Sequence, residues 1–343
     1  MPGIYTHSVF GQRVLEATED QGVSDFLRKY YREFYIGVQG PGYLKMYNIL
    51  PWEKPDDDIK DVIKFFRERN VGRAISMMLK YVLEAPVEEQ EPLLAYMCGY
   101  VTHYMLECAV NPYILYRAGF CLPNQTPTNK YDVYFERLTN DIEYLLVQEK
   151  TNKKPGEISE KEFLDISVDS LNYIARMYGQ IIKVLYLKEV SVDQIKESYI
   201  TLYELAPFFA KPGGIKRLLI NLYGILSYNK ANNLKIHYVD GSGNKAGLDV
   251  LNNGHKEWVW PWDKRVTRTN SVGQMFDDTI PKAVSVIKYV YDYKFNNLPA
   301  IVVTDKVGEN SMVTGMPWGI PMIYKYYSLI YEKDKISDAD AIL

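Results

Sequence analysis

Apolar residues return every three or four positions through most of this chain, the spacing that lines up one face of an α-helix, while the strict alternation of a half-buried strand is scarce. Any core must therefore be built from helices. The period predicts them over Gly11–Ala17, Ser24–Tyr35, Asp57–Arg69, Gly72–Leu83, Glu89–Val110, Lys130–Glu149, Glu160–Leu187, Val192–Phe209, Gly214–Tyr228 and Val272–Tyr293. Prolines set the expected breaks at Pro51–Pro55, Pro112–Pro127, Asn152–Pro155 and Pro207–Pro212, because the ring removes a donor and disfavours continued helix. Leu234–Gly247 departs from the helical pattern: Ile236, Tyr238 and the Asp240–Gly241 pair signal a hairpin, within an expected loop or hairpin insertion over 231–271. No internal repeat, sustained heptad or long Gly/Ser linker divides the chain. The expected architecture is all-α, a single large multi-helix domain over residues 1–343 with a short hairpin-like insertion.

Charge and composition narrow the partners. With 47% hydrophobic and 24% charged residues among 343, the chain lies in the globular range. A net charge of −3 gives no electrostatic reason to bind nucleic acid or an anionic membrane. Cys98, Cys108 and Cys121 are odd in number and form no C-x-x-C pair, so they are read as buried thiols rather than as disulfides or zinc ligands. Met1–Phe10 lacks the basic and apolar regions of a secretion signal, and no eighteen successive residues are apolar. The reading is a soluble, cytoplasmic protein with no transmembrane segment.

The strongest local arrangement is His103 with Glu107, four positions apart and so on one helix face, which Asn111 extends by another turn. A neutral imidazole and a carboxylate at this spacing can share a metal ion or act as a proton acceptor and its orienting partner. The pair also fits a buried histidine hydrogen-bonded to its neighbour, and for an isolated pair that reading comes first. Asp132 and Glu136 repeat the spacing at the start of the next long helix, where carboxylates could complete a metal site or simply meet the positive end of the helix dipole. Asp165 and Asp169 are read as surface charge. His-Glu-x-x-His, the Walker loop and Gly-x-Ser-x-Gly are all absent, and the glycine-rich stretches Gly37–Gly42 and Gly241–Gly247 are read as turns. Trp258, Trp260, Pro261 and Trp262 form the densest aromatic cluster, suited to a core anchor, a pocket wall or a seat for a cationic head group.

Several segments belong together. Tyr5-Thr-His7 is followed by Phe10-Gly11-Gln-Arg-Val14-Leu15; then come Gly37-Val-Gln39-Gly40-Pro41, Tyr100-Val-Thr-His103 through Asn111-Pro112-Tyr113, Trp258-x-x-Pro261-Trp262 with Ser271 and Phe276-Asp277, and Ser311-x-x-Thr314-Gly315. Spread over nearly the whole chain, they resemble the zinc-dependent phospholipase C family, particularly its clostridial-type intracellular branch without an export signal. The resemblance implies an all-α domain enclosing metal ions, normally zinc, that activate water to cleave a phosphodiester such as a phospholipid head-group linkage. Metals lower the pKa of bound water towards about 7 and neutralise charge on phosphoryl oxygens.

The chain departs from that pattern at the ligands. Gly42 stands where the family element supplies Asp, Asn111 where the central helix supplies a second His, and Glu107 where it supplies Asp. Gly72–Lys80 lacks the expected His, and Asp132 begins the segment where a His-x-x-x-Glu pair would lie. Only His7, His103, His237 and His255 exist, so a full multinuclear zinc cluster cannot be rebuilt. The expectation is one ion, zinc or a harder divalent cation such as Mn²⁺ or Mg²⁺, held by some combination of His7, His103, Glu107, Asp132 and Glu136. His103 and Asp132 would be the catalytic residues, and the partner a small molecule or a phospholipid-like phosphodiester. Two alternatives stay open: a non-catalytic or repurposed ligand-binding descendant, and a metal-free acid–base enzyme using His103 with Glu107 in an aromatic pocket.

Overall fold

A computed structural model describes residues 3–50, 52–54, 56–121, 130–210, 247–319 and 323–332, and these are predominantly helical. In order come α1 (Ile4–Glu16), α2 (Gln21–Lys29), α3 (Tyr31–Gln39), a 3₁₀ segment (Gly40–Met46), α4 (Asp57–Glu68), α5 (Val71–Glu84), α6 (Val87–Ala118) and α7 (Lys130–Thr151). Next are α8 (Lys161–Leu164), α9 (Val168–Ile181) and α10 (Val192–Ala210), then a hairpin of β1 (Trp258–Trp260) and β2 (Asp263–Arg268), and finally α11 (Val272–Phe295) and α12 (Ala300–Val307). The expected helix over Gly214–Tyr228, His237 and the hairpin signal at Leu234–Gly247, apart from Gly247 itself, lie outside the described residues. No helix among the described residues is long and apolar enough to cross a membrane.

Local chemistry explains most of the helix starts. Asp20, Asp56 and Ser167 each accept a backbone N–H from the first turn they precede, and Ser271 forms a reciprocal capping box with Gln274. Three expectations need correction. The single helix over Ser24–Tyr35 is two, broken at Tyr30, whose φ of −114° and ψ of 38° do not continue the spiral. The helix over Glu160–Leu187 is also interrupted, between α8 and α9, where Ser167 caps the second piece. Pro112 and Pro207, expected to end helices, lie inside α6 and α10.

α6 organises everything else. From Leu93 to Tyr104 every side chain is buried, so the helix is wrapped by neighbours on all sides, as expected of one that is apolar all round. α1, α3, α5, α7, α9 and α11 all pack on it. Its tightest neighbour is α3: a Cβ at Gly99 would stand 2.0 Å from the Phe34 carbonyl oxygen, and one at Gly37 2.1 Å from that of Tyr96. Gly37 is thus a helix-crossing residue, not part of a turn. Of the three cysteines only Cys98 is buried; Cys108 is half-buried and Cys121 exposed.

The hairpin falls inside the expected insertion, with Trp258 opposite Arg268, Val259 opposite Thr267 and a bulge before Trp260. Trp258 is buried against Tyr113 of α6, ring centroids 5.5 Å apart. Arg268 lies over the Trp260 ring at 4.8 Å, so the protein itself supplies a cation to this cluster.

Candidate metal centre

Three side chains converge where α1 crosses α6. His7 projects from the first turns of α1, and His103 and Glu107 from one face of α6; each offers a ligand atom within 4.8 Å of the others. Their exposures are 2%, 0% and 0%. The imidazoles stack, with centroids 4.4 Å apart and planes inclined by 28°.

Hydrogen bonds on the far side of each ring determine what faces the middle. His7 Nδ1 lies 3.1 Å from the Gly3 carbonyl oxygen, and His103 Nδ1 lies 3.1 Å from that of Val38, in the last turn of α3. A carbonyl only accepts, so both Nδ1 atoms carry a proton and both Nε2 atoms point inward. His103 is neutral: burial, reinforced by the neighbouring His7, pushes its pKa down to about 3. Burial alone would raise the Glu107 carboxyl, but nearby positive charge and the His7 imidazole outweigh it and hold the group below the ordinary carboxylate range.

Three ligand atoms therefore face one another. His7 Nε2 and Glu107 Oε1 stand 3.2 Å apart, the separation of an ion pair when that nitrogen is protonated, and His103 Nε2 has no hydrogen-bonding partner among the described residues. At this distance the buried nitrogen and the carboxylate oxygen need positive charge between them, a proton or a metal ion. Two ligands at about 2.05 Å from a tetrahedral zinc ion are about 3.3 Å apart, so the observed separation fits a metal edge. Two imidazoles and one carboxylate suit zinc, with other borderline divalent ions behind it.

The supporting residues are drawn from the distal sequence. Asn111, one turn beyond Glu107 on α6, donates its amide to Glu107 Oε2 at 2.8 Å and to the Met312 carbonyl at 2.5 Å, which leaves Oε1 for the centre. The Ser311-x-x-Thr314-Gly315 segment is the tight turn that presents Met312: Gly315 N–H donates to the Ser311 carbonyl at 2.7 Å, and Met312 N–H ties the turn to the Arg67 carbonyl of α4 at 2.8 Å. Gly40 has φ of +61°, and a Cβ there would come within 2.5 Å of His103 Nε2, so glycine keeps that face of the imidazole clear.

Glu143 of α7 anchors the other arm. Gly3 offers no side chain to cap α1, and Glu143 Oε1 instead accepts the N–H groups of Tyr5, at 2.7 Å, and Thr6, at 3.4 Å. The two backbone donors lower its pKa, but burial wins and raises it to about 7. The folded chain therefore holds this proton more tightly than the unfolded chain, whose glutamate titrates near about 4.3. The resulting stability is present below that pH and is lost as pH rises through about 7. Glu143→Gln keeps an oxygen acceptor without a buried charge. It is expected to match the parent within about 1 kcal/mol at pH 5 and to exceed it by about 3 kcal/mol at pH 8.5, read from denaturant midpoints. Equal midpoints at the higher pH would show that Glu143 is ionised without penalty.

Asp132 and Glu136 are placed elsewhere. Asp132 is exposed in the first turn of α7, Glu136 is half-buried one turn on, and neither belongs to the three-donor group. His255 is exposed and directs Nδ1 at the Thr269 carbonyl. Nothing in local spacing singled out Glu143, 136 positions from His7, or Arg67, whose Nη2 is 3.9 Å from Glu107 Oε2. No protein-family model matches the chain, and no curated protein or solved structure resembles it significantly.

Proposed function

We propose that this chain is a metal-dependent hydrolase of phosphodiesters, related to the zinc-dependent phospholipases C but reduced to one ion on His7, His103 and Glu107. The observation that carries the metal is the meeting of three buried ligand atoms, with both imidazoles presenting Nε2 because backbone carbonyls hold Nδ1, and with none of the three bonded outside the group among the described residues. Such an ion would supply a water of lowered pKa and a positive charge for phosphoryl oxygens. The reaction class rests on the family resemblance. It gains support from the mutual packing of the resembling segments: Phe10 on Phe276 at 5.0 Å, Tyr113 on Trp258 at 5.5 Å, and the Gly315 turn against the Cys108 carbonyl.

Elemental analysis of protein purified without added metal, followed by chelation and assay of bis(p-nitrophenyl) phosphate with zinc, manganese or magnesium restored, tests both parts. About one ion per chain and metal-dependent release of nitrophenol are expected. Substoichiometric metal with no hydrolysis would remove the proposal. A second reading is favoured by the closure of the site, since catalytic zinc needs an open position: a metal-bearing but non-catalytic centre that ties α1 to α6. One ion per chain with no hydrolysis of any diester would select it.

A further inference from the structure

Arg67, in the last turn of α4, is the least satisfied cation near the centre. Its side chain is 16% exposed and its Nη2 lies 3.9 Å from Glu107 Oε2, beyond hydrogen-bonding range. Its Nε is buried with no partner, and its guanidinium donates no hydrogen bond among the described residues. The backbone is nevertheless fixed, because the Arg67 carbonyl accepts from Met312 N–H at 2.8 Å and the Ser311 hydroxyl at 3.4 Å. Glu107 cannot satisfy the fork: Oε2 is engaged by Asn111, and Oε1 faces His7. A mostly buried guanidinium held in place with its donors unused is costly unless a ligand with several acceptor oxygens takes them.

Lys45 adds a second cation. It stands on the 3₁₀ segment three residues after Gly42 and reaches solvent, and that segment packs on α4, which carries Arg67, and on α6, which carries Glu107; burial and the charge of Arg67 lower its pKa while Glu136 and Glu107 oppose them. Glu136 and Glu107 set against Lys45, Arg67 and a divalent ion still leave an excess of positive charge, which an anion complements and a cationic head group does not.

We propose that Arg67 and Lys45 form an anion subsite next to the His7–His103–Glu107 centre, built to take the non-bridging oxygens of a phosphoryl group. The subsite deepens the hydrolase reading and rests on it for its role, with Arg67 as the forked, bidentate group and Lys45 as a point charge. It selects phosphoesters with unshielded anionic oxygens.

The test is titration of inorganic phosphate into the full-length chain, zinc-loaded and chelator-treated, by calorimetry and ³¹P line broadening, with zinc content measured for every sample. Saturable phosphate binding is expected, weakened at least tenfold in Arg67→Gln and several-fold in Lys45→Gln at unchanged zinc content. Arg67→Lys, which keeps the charge but not the fork, is expected to fall between, and it serves as the reporter should Arg67→Gln fail to fold. Phosphate binding that is absent, or unaltered in all three variants, overturns the subsite. If the parent holds no zinc but still binds phosphate in an Arg67-dependent way, the subsite stands and the hydrolase reading fails.

Discussion

Replacing His103 with alanine is expected to empty the centre. A zinc ion on four ligands in a small domain is bound with about 10–16 kcal/mol, so one ligand accounts for roughly 3–4 kcal/mol, a factor of about 10²–10³ in affinity. His103→Ala also orphans the Val38 carbonyl and opens a cavity beside α3, so a loss of fold has to be separated from a loss of metal. Glu107→Gln makes that separation: it keeps the shape and an acceptor for Asn111 but removes the only negative charge in the donor set. Both variants are expected to retain less than a tenth of the parent's zinc after dialysis. The parent should gain about 4 kcal/mol of stability when zinc is raised to about 1,000 times its dissociation constant, and neither variant should respond. His103, with its pKa near 3, stays neutral and keeps its Nε2 lone pair down to mildly acidic pH, so zinc release between pH 7 and 5 cannot originate there. Glu107→Gln holding zinc at the parent's affinity would mean that the carboxylate is an internal ion-pair partner and the convergence of ligand atoms has another cause.

Half of this centre was legible before any coordinates. The spacing of His103 and Glu107 on an apolar segment placed them on one face, because a helix of that composition has little choice of period. His7 entered only through the family resemblance, since α1 reaches α6 by a crossing that no local pattern encodes. Asp132 and Glu136 have the same spacing as His103 and Glu107, but spacing says nothing about which side of α7 turns inward; Asp141 and Glu143, further along that helix, are the buried carboxylates. The helix over Lys130–Glu149 was foreseen to within two residues, while Pro112 misled. In α6 the bond lost at the proline frees the Cys108 carbonyl, and tertiary contact with the Gly315 turn on one side and Trp258 on the other holds the helix together to Ala118. Packing on all sides of α6 outweighs a local breaker of about 3 kcal/mol.

Gly99→Ala is expected to unfold the chain's central crossing, although helix propensity alone would predict a gain of about 1 kcal/mol. The added methyl would stand 2.0 Å from the Phe34 oxygen, 2.8 Å from the Val38 nitrogen and 2.9 Å from the Gly37 Cα, all backbone atoms that cannot rotate away. Overpacking against flexible side chains costs about 1–3 kcal/mol, and with rigid helix backbone as the obstacle a loss of at least about 3 kcal/mol is expected. Sterics therefore win over propensity by a clear margin. The same seam carries the Val38 carbonyl that orients His103 one turn further along α6, so zinc affinity should fall together with stability. Gly179→Ala in α9 is the control: its nearest neighbour, the Val190 carbonyl oxygen, is 3.7 Å away, an ordinary contact, and there propensity should show as a gain of about 0.5–1 kcal/mol. Thermal melts of the three proteins with and without zinc decide the matter. A Gly99→Ala protein that melts at or above the parent temperature would mean that α3 and α6 do not approach through these glycines, and that the orientation of His103 is set by something other than their crossing.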